Sequence, residues 1–216
     1  MTSDAGLGLL ADEVLTTTRA VRRRLDFSRP VERAVLEDCV RIASQAPSGR
    51  NRQRWDFVFV GDTAAKEAVA RWWLAGLQVG QPGGHVTRDA SPAGWQRIAA
   101  SLDHLVSRLH EAPWLVIPCV RVDSRAELDD VRGQAGAWGS VFPAFWSFML
   151  AARERGLGTA WTTAHLSYER EVSEVLGLPY ETVVQGALSP IAHTVGSDFR
   201  PARRAPAESF IHWDQW

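Results

Sequence analysis

Two short arginine clusters provide the side chains best suited to hold an anion. Arg19, Arg22 and Arg23 follow the helical spacing i, i+3 and i+4, so their guanidinium groups could converge on one face and bind a phosphate. A second cluster near the other end of the chain consists of Arg200, Arg203 and Arg204. Because the net charge is only −1, one shared anion explains both clusters economically. A solvated helix face or a nucleic-acid patch is the alternative interpretation of the first cluster.

A turn in the first quarter of the chain indicates a second part of a site. The segment Ala46-Pro47-Ser48-Gly49 ends a predicted helix, Asn51 follows two residues later, and a β-rich run starts at Trp55. Such a turn places polar backbone and an amide side chain beside a flat ligand, which suggests a flavin.

Several common kinds of site are missing from the sequence. Gly133, Gly136 and Gly139 have the wrong spacing for a dinucleotide-binding turn, and neither a phosphate-binding P-loop nor a Gly-x-Ser-x-Gly elbow occurs. His104 and His110 are six residues apart and so lie on different helix faces, which gives no metal-ligand pair. We therefore expect no metal and chemistry that depends on a bound organic cofactor.

Composition limits the class of protein. With 216 residues, 45% hydrophobic and 23% charged, the chain can form one domain, residues 1–216, around a sizeable core. The net charge favours neither nucleic acid nor an anionic membrane as a partner. Cys39 and Cys119 stand alone, which indicates neither disulfides nor a zinc site, and the first 15 residues lack the basic region of a secretory signal. A cytoplasmic location is the resulting expectation.

The uncharged run from Gly133 to Ala152 is long enough to span a membrane. Its polar and small residues favour a buried or interface helix instead. Gly136, Gly139 and Ser140 would let a second helix approach closely, so a homodimer is the favoured interpretation and a span the alternative.

Alternating helices and strands are predicted along the whole chain. The predicted helices cover 30–46, 63–74, 95–109, 133–152 and 168–176, and the predicted strands cover 55–60, 114–122, 159–163 and 183–188. Pro118 suggests that its strand is an edge strand or carries a bulge. Residues 76–94, with five Gly and two Pro, are predicted to be a long loop and a candidate flap. Four tryptophans could form the wall of a substrate cavity, although a place in the core is the alternative for each: Trp72, Trp73, Trp95 and Trp138.

In the order in which they occur, these elements resemble the nitroreductase family of FMN-dependent oxidoreductases, and an actinobacterial-type subgroup within it. The family's Arg-Arg-Ser-x-Arg element is similar to Thr18-Arg19-Ala20-Val21-Arg22, and its Ala-Pro-Ser-x-x-Asn-x-Gln-Pro-Trp element to the segment from Ala46 to Trp55, where Arg54 replaces the proline. Further matching elements are Gly156 to Thr159, Trp161-Thr162-Thr163, Leu176 to Pro179, Phe199-Arg200-Pro201, Arg204-x-Pro206 and His212-Trp213.

The resemblance implies an α+β nitroreductase-like fold, with a central, mainly antiparallel sheet flanked by helices, in an intertwined homodimer with two FMN sites at its interface. Arg19, Arg22, Arg203 and Arg204 would hold the phosphate and pyrimidine side of FMN, with Ala20 where the family has a phosphate-binding serine. The turn at Pro47, Ser48, Gly49 and Asn51 would contact the ring in the neighbouring subunit's site. Thr162, Thr163 and Ala164 would meet flavin N5, with the backbone N–H near Thr163 as the contact.

The implied activity is hydride transfer from NADPH or NADH through flavin N5 to a nitroaromatic, a quinone or a similar flat acceptor, by a ping-pong mechanism without a protein nucleophile. Arg22 is the candidate for positive charge near flavin N1 and the C2 carbonyl. Two alternatives stay open: a flavoenzyme of the same fold with another reaction, such as reductive dehalogenation or dehydrogenation, and a non-catalytic protein whose arginine clusters bind an anionic effector or nucleic acid. The sequence decides neither the nicotinamide preference nor the physiological acceptor.

Overall fold

The computed structural model describes residues 6–79 and 92–216. Its α-helices are α1 Ala11–Thr17, α2 Arg33–Ala43, α3 Thr63–Gln78, α4 Pro92–Val106, α5 Val131–Glu154 and α6 Glu169–Leu176. Its strands are β1 Leu25–Asp26, β2 Trp55–Val60, β3 Trp114–Arg121, β4 Leu157–Thr159, β5 Val183–Gln185 and β6 Ser189–Thr194.

The strands form one six-stranded sheet in which every ladder is antiparallel. Its order is β1-β6-β3-β2, with β4 paired to β6 and β5 paired to β3. The predicted α+β class with a mainly antiparallel sheet is therefore confirmed.

Side chains of a strand alternate between the two faces of a sheet, and here both faces carry apolar side chains. Helices cover both faces, so the sheet lies between two helical layers. Phe57 and Phe59 of β2 pack against Phe148 of α5, with ring centroids 5.6 and 5.8 Å apart, and α2 completes this layer. On the opposite face, Ile117 of β3 belongs to a buried cluster that includes Trp73 of α3, together with residues of α4 and α6.

Several predicted elements agree with the structure. Strand 55–60 has the predicted bounds, and the helices predicted at 63–74 and 168–176 correspond to α3 and α6. The helix predicted at 30–46 is shorter, 33–43, and the strand predicted at 159–163 ends at Thr159. Helix α3 continues to Gln78 and α4 begins at Pro92, so both ends of the predicted loop are helical. The rest of that candidate flap lies outside the described residues.

Pro118 lies on β3, which has partners on both sides, so the predicted edge position is wrong. On one side β3 pairs with β2 throughout. On the other side its partner changes: pairing with β6 stops at Val116, opposite Ser189, and pairing with β5 begins at Cys119, opposite Gln185. Pro118 falls in this gap, where its carbonyl accepts from the Gly186 N–H at 2.8 Å. The missing N–H is tolerated because no ladder requires it there.

Helix α5 is the uncharged segment, extended at both ends. Among the described residues, no helix is long and apolar enough to cross a membrane. Gly136 and Gly139 lie on an exposed face, as a close approach by a second helix requires. Ser140 is instead buried, where its hydroxyl donates to the Gly136 carbonyl at 2.8 Å. Of the three small residues, only the two glycines therefore lie on the exposed face of α5.

Candidate functional site

The first arginine cluster lines a cavity of about 240 Å³. The residues around it are Arg19, Ala20, Val21, Arg22, Arg23, Arg24, Ser101 and Phe199. Burial lowers the pKa of Arg22. This cavity therefore has a strongly cationic wall, partly removed from water, beside one aromatic ring.

The arginine segment is not helical, because it pairs at Ala20 and then turns at Arg22 to Arg24, so the predicted helical spacing is wrong as the cause of its convergence. Ala20 forms a parallel bridge with Thr159, and the Val21 N–H donates to the Thr159 carbonyl at 2.8 Å. Val21 and Leu25 are buried against Ala192 of β6. Pairing with the end of β4 and the turn into β1 therefore position Arg19 and Arg22.

The two ends of the chain meet at this cavity. Arg19 Nη1 donates to the Arg200 carbonyl at 2.9 Å, and Arg24 Nη2 contacts Asp198 Oδ1 at 2.6 Å. The Arg24 guanidinium lowers the pKa of Asp198 below its usual value. Gly196, with φ of +73°, makes the turn that brings this segment beside Arg24.

Arg203 and Arg204 do not line this cavity. Both side chains are exposed, and Arg204 Nη1 donates to the Arg203 carbonyl at 3.1 Å. Within the described single chain the predicted four-arginine site is therefore assembled only in part, from Arg19 and Arg22.

Arg153 in the last turn of α5 was not predicted. Its side chain is only 4% exposed, Nη2 donates to the Ser197 carbonyl at 3.0 Å, and Phe199 lies next to its guanidinium. Burial lowers the pKa of Arg153. The sequence feature that could have indicated Arg153 is its position directly after the uncharged run that ends at Ala152, near the end of α5.

The turn after α2 is strained and held at its base. Arg50, Asn51 and Gln53 all have positive φ, of 56°, 53° and 48°. The Gly49 N–H donates to Ser140 Oγ at 3.3 Å, and the Gln53 N–H donates to Ser48 Oγ at 3.1 Å. Positive φ costs energy in residues with a Cβ, and such conformations cluster at ligand sites.

The predicted residues of this turn are accessible. Pro47, Gly49 and Asn51 are exposed, and Ser48 is half-buried. Arg54, which stands where the family has proline, forms an ion pair with Glu127 at 2.9 Å and lowers the pKa of that carboxyl. The segment thus presents polar groups outward while Ser48, Gly49 and Arg54 anchor it.

This turn and the arginine cavity are anchored at different positions along α5. Ser140 anchors the turn, whereas Arg153 contacts the C-terminal segment beside the cavity. The two helix positions are thirteen residues apart, about 20 Å at 1.5 Å per residue. Within one chain, the structure does not bring Pro47 to Asn51 together with Arg19 and Arg22.

The 162–164 turn follows β4 and is fixed by the core. Thr162 forms an antiparallel bridge with Leu188, and its hydroxyl accepts from Trp73 Nε1 at 2.9 Å. A Cβ at Gly76 would lie 1.9 Å from the Ala164 carbonyl oxygen, so only glycine allows α3 to approach this closely. Gly76 is therefore a packing residue and not part of a loop.

The N–H groups at this turn are suited to hold an acceptor atom. Thr163 is exposed and precedes the 3-10 helix Ala164–Tyr168, whose first N–H groups have no partner within the helix. Among the described residues, no hydrogen bond engages the Thr163 or Ala164 N–H. Thr159 forms a bridge with Ala20 of the arginine segment, and the turn begins only three residues after Thr159. The turn therefore lies close to the arginine cavity.

His165, directly after this turn, is fully buried, and neither ring nitrogen has a hydrogen-bond partner in the described part of the chain. Burial lowers the pKa of His165 to about 3. A neutral imidazole with two unsatisfied nitrogens is costly, and sequence reasoning missed it because nothing marks the residue as buried.

The tryptophans proposed as a cavity wall have several environments. Trp73 is fully buried in the core, as the alternative interpretation holds. Trp72 stacks on Tyr168 at 5.1 Å, and Trp138 stacks on Phe142 at 5.1 Å. The side chain of Trp95 lies outside the described residues.

Both cysteines lie in the core. Cys39 and Cys119 are free and buried, and burial raises their pKa values to about 11 and about 12, so neither is a ready nucleophile at neutral pH. In residues 6–79 and 92–216, no group of three or more His, Cys, Asp and Glu side chains is placed to hold a metal ion.

Comparison with known proteins agrees with this geometry. A family model described as the Nitroreductase family matches residues 15–190. YfhC of Bacillus subtilis (strain 168), which carries the name of an NAD(P)H nitroreductase, is 22% identical over 167 residues, 77% of this chain and 75% of its own.

Two solved structures cover nearly all of this chain. The FMN and NADPH-dependent nitroreductase NfnB from sphigopyxis sp. strain HMH is 24% identical with a TM-score of 0.68, over 96% of this chain and 100% of its own. Oxidized iodotyrosine deiodinase, solved with FMN and 3-iodo-L-tyrosine, is 19% identical with a TM-score of 0.71, again over 96% and 100%. At these identities, the structural likeness establishes the fold.

Proposed function

The chain belongs to the nitroreductase family, and on that premise we propose that it is an FMN-dependent oxidoreductase that passes hydride from NADPH or NADH to a nitroaromatic, a quinone or another flat acceptor. The observation that carries this proposal is the pairing of Ala20 with Thr159. It joins a cationic cavity to a turn at which the N–H groups of Thr163 and Ala164 have no hydrogen-bond partner among the described residues.

The residues present fit a flavin mononucleotide. Its phosphate requires a cationic pocket, which Arg19 and Arg22 provide. Its ring nitrogen N5 requires a backbone donor, and the Thr163 N–H is placed on the strand connection next to that pocket. Arg153 nearby is buried without a carboxylate partner among the described residues, which also favours an anion in this region.

When bound, FMN would supply an N5 atom that accepts and returns hydride. The chain's own residues would bind and orient it. Arg19 would hold the phosphate, and the partly desolvated Arg22 would place positive charge toward the N1 and C2 side, where partial burial strengthens the interaction. The Thr163 N–H would hold N5, and Trp73 would fix Thr162 behind it. No side-chain nucleophile is required.

We further propose that the working form is a homodimer in which Pro47, Ser48, Gly49 and Asn51 contact the partner's flavin ring. The separation of about 20 Å along α5 between the anchors of this turn and of the arginine cavity supports that division. In such a dimer, the C-terminal segment that carries Arg203 and Arg204 would be placed against the partner, and these two side chains would contact the cofactor phosphate there. The exposed Gly136 and Gly139 face of α5 supports the same assembly.

The C-terminal tail supports a dimer independently. Trp213 and Trp216 are 84% and 96% exposed in the single chain, which is unusual for large apolar rings. A groove of about 700 Å³ beside β2 is lined by Trp55, Phe57, Phe59 and Trp114, among others, and could receive the partner's tail. The cytoplasmic location and the single domain 1–216 stay predictions.

The absorbance spectrum of freshly purified protein, followed by anaerobic titration with NADPH and NADH, tests the proposal. We expect a yellow protein with one FMN per chain that bleaches on reduction and recovers when a quinone is added. A colourless protein that does not take up added FMN would refute the cofactor assignment.

A second candidate reaction is reductive dehalogenation, favoured by the structural likeness to iodotyrosine deiodinase. Both reactions need bound flavin, so the titration separates them by the donor. Flavin that is reduced by dithionite but by neither nicotinamide would favour the second reaction, and iodide release from an iodophenol would then identify it. A non-catalytic effector-binding protein would instead be colourless and bind anions with strong salt dependence.

A further inference from the structure

Arg153 is a buried cation without a carboxylate partner among the described residues. It is 4% exposed, and its Nε and Nη1 atoms have no hydrogen-bond partner there. The neighbouring Glu154 carboxylate is occupied by the N-terminal segment, since it accepts from the N–H groups of Gly8 at 2.8 Å and Leu9 at 3.1 Å. A buried charge of this kind is costly unless it is paired and hydrogen-bonded.

The contacts that Arg153 does make join three separate segments. From the end of α5, Nη2 donates to the Ser197 carbonyl at 3.0 Å and lies 3.4 Å from Thr17 Oγ1. Thr17 ends the helix just before Arg19, and Ser197 precedes the segment that carries Arg200. One side chain thus contacts both chain ends that build the cationic cavity.

The Phe199 ring completes the connection. It contacts two guanidinium groups, with Arg24 Cζ 4.2 Å and Arg153 Cζ 4.9 Å from the ring centroid. The same ring lines the arginine cavity. These two cation–π contacts restrict Phe199, and the carbonyl of Arg200, directly after it, accepts the hydrogen bond from Arg19.

We propose that Arg153 is a positioning residue for the cofactor phosphate: through Thr17, Ser197 and Phe199 it fixes the C-terminal segment against the arginine segment. This inference rests on the proposed function, because it takes the phosphate of FMN as the anion. Without Arg153, Phe199 loses one of its two stacking partners and Arg200 is released from Arg19. The phosphate pocket then loosens, whereas the 162–164 turn, which packs on α3, is unaffected.

Binding of FMN and of riboflavin, which lacks the phosphate, tests the proposal. Dissociation constants for both are measured by flavin fluorescence in the wild type, in Arg153→Met and in Phe199→Leu. We expect the preference for FMN over riboflavin to fall about tenfold in both variants, while riboflavin affinity stays within about twofold of wild type. Phe199→Leu decides the question if Arg153→Met does not fold.

The matched control is Arg125→Met, which removes another guanidinium that contacts an aromatic ring, here Tyr180 at 3.7 Å, but that, unlike Arg153, is ion-paired, with Glu169. We expect a lower melting temperature and an unchanged FMN preference. Equal loss of FMN and riboflavin affinity in Arg153→Met, or an unchanged preference in either variant, would overturn the positioning role. A wild type that binds neither flavin would instead refute the proposed function itself.

Discussion

The two halves of the proposed cofactor site are built in different ways. The 162–164 turn is fixed by the core: Trp73 is fully buried behind Thr162, and the backbone of Ala164 lies against Gly76 of α3. The arginine half is built from segments near both ends of the chain, which are joined by side-chain contacts such as Arg19 to the Arg200 carbonyl.

This difference predicts different failures. Damage to the turn must disturb packing and therefore the stability of the whole domain. Damage to the arginine half removes a few polar contacts that are partly exposed to water, so it should change binding more than stability. The variants below test that division in order of decreasing effect.

The largest effect is expected from Gly76→Val. The added side chain would collide with the Ala164 backbone, so we expect the free energy of unfolding to fall by about 3 kcal/mol and flavin reduction by NADPH to be lost. Urea denaturation and stopped-flow absorbance measure the two effects. Gln78→Val, at an exposed position of the same helix, should change neither, and a normal Gly76→Val protein would contradict the close packing.

The second effect depends on pH. In the folded protein the buried His165 stays neutral down to a pKa of about 3, whereas in the unfolded chain it takes up a proton below about 6.5. Its contribution to stability is therefore complete above pH 6.5 and declines as the pH falls toward 3, by at most about 1.4 kcal/mol per pH unit.

His165→Leu should remove this loss and flatten the dependence of the unfolding free energy on pH between 6.5 and 4. Urea denaturation at half-unit pH intervals measures it, with the exposed His212→Leu as the comparison. An unchanged slope in His165→Leu would mean that the imidazole is not held neutral in the folded protein.

The third effect concerns the arginine half. Arg19→Ala should weaken FMN binding about tenfold, since a hydrogen bond to a charged group is lost, and leave riboflavin binding and the melting temperature nearly unchanged. Arg41→Ala, which breaks an exposed ion pair with Asp38 on α2, is the control. A large loss of stability in Arg19→Ala would show that this half is also part of the core.

The smallest effect is expected from Asp198→Asn. Its carboxylate contacts Arg24 but is 86% exposed, and exposed ion pairs contribute little. The melting temperature should stay unchanged, and FMN affinity should change by less than about twofold. A marked drop in stability would indicate that the C-terminal segment depends on this pair rather than on Arg153 and Phe199.

The sequence predicted the elements whose signal is local. Strand β2 is a continuous β-rich run closed by Gly61-Asp62, and α3 and α6 have helical periodicity, so their positions follow from nearby residues. Strand β6 was not predicted, because Ser189 and Pro190 look like a break and burial of its first four residues removes any alternation. Helix α1 and the two-residue strand β1 were also missed.

The sequence correctly placed Arg19 and Arg22 in one candidate site, but the structure brings them together in a different way from the one predicted. Arg19 and Arg22 do line one cavity, but through a bridge to Thr159 and not through helical spacing. Long-range pairing of this kind leaves no mark in a single sequence. Arg153 was missed for the same reason, since its partners Thr17 and Ser197 are distant along the chain.

The order of the strands also affects when the sheet can form while the chain is being synthesised. Strand β6 lies between β1 and β3 and pairs with β4 as well, yet it is the last strand to leave the ribosome. Until residue 194 emerges, β1 has no neighbour in the sheet, and the edge of β3 from Trp114 to Val116 stays unpaired. Completion of the fold is therefore expected to be slow, because β6 must pair with strands from distant parts of the chain, and partly folded chains should expose strand edges that can aggregate.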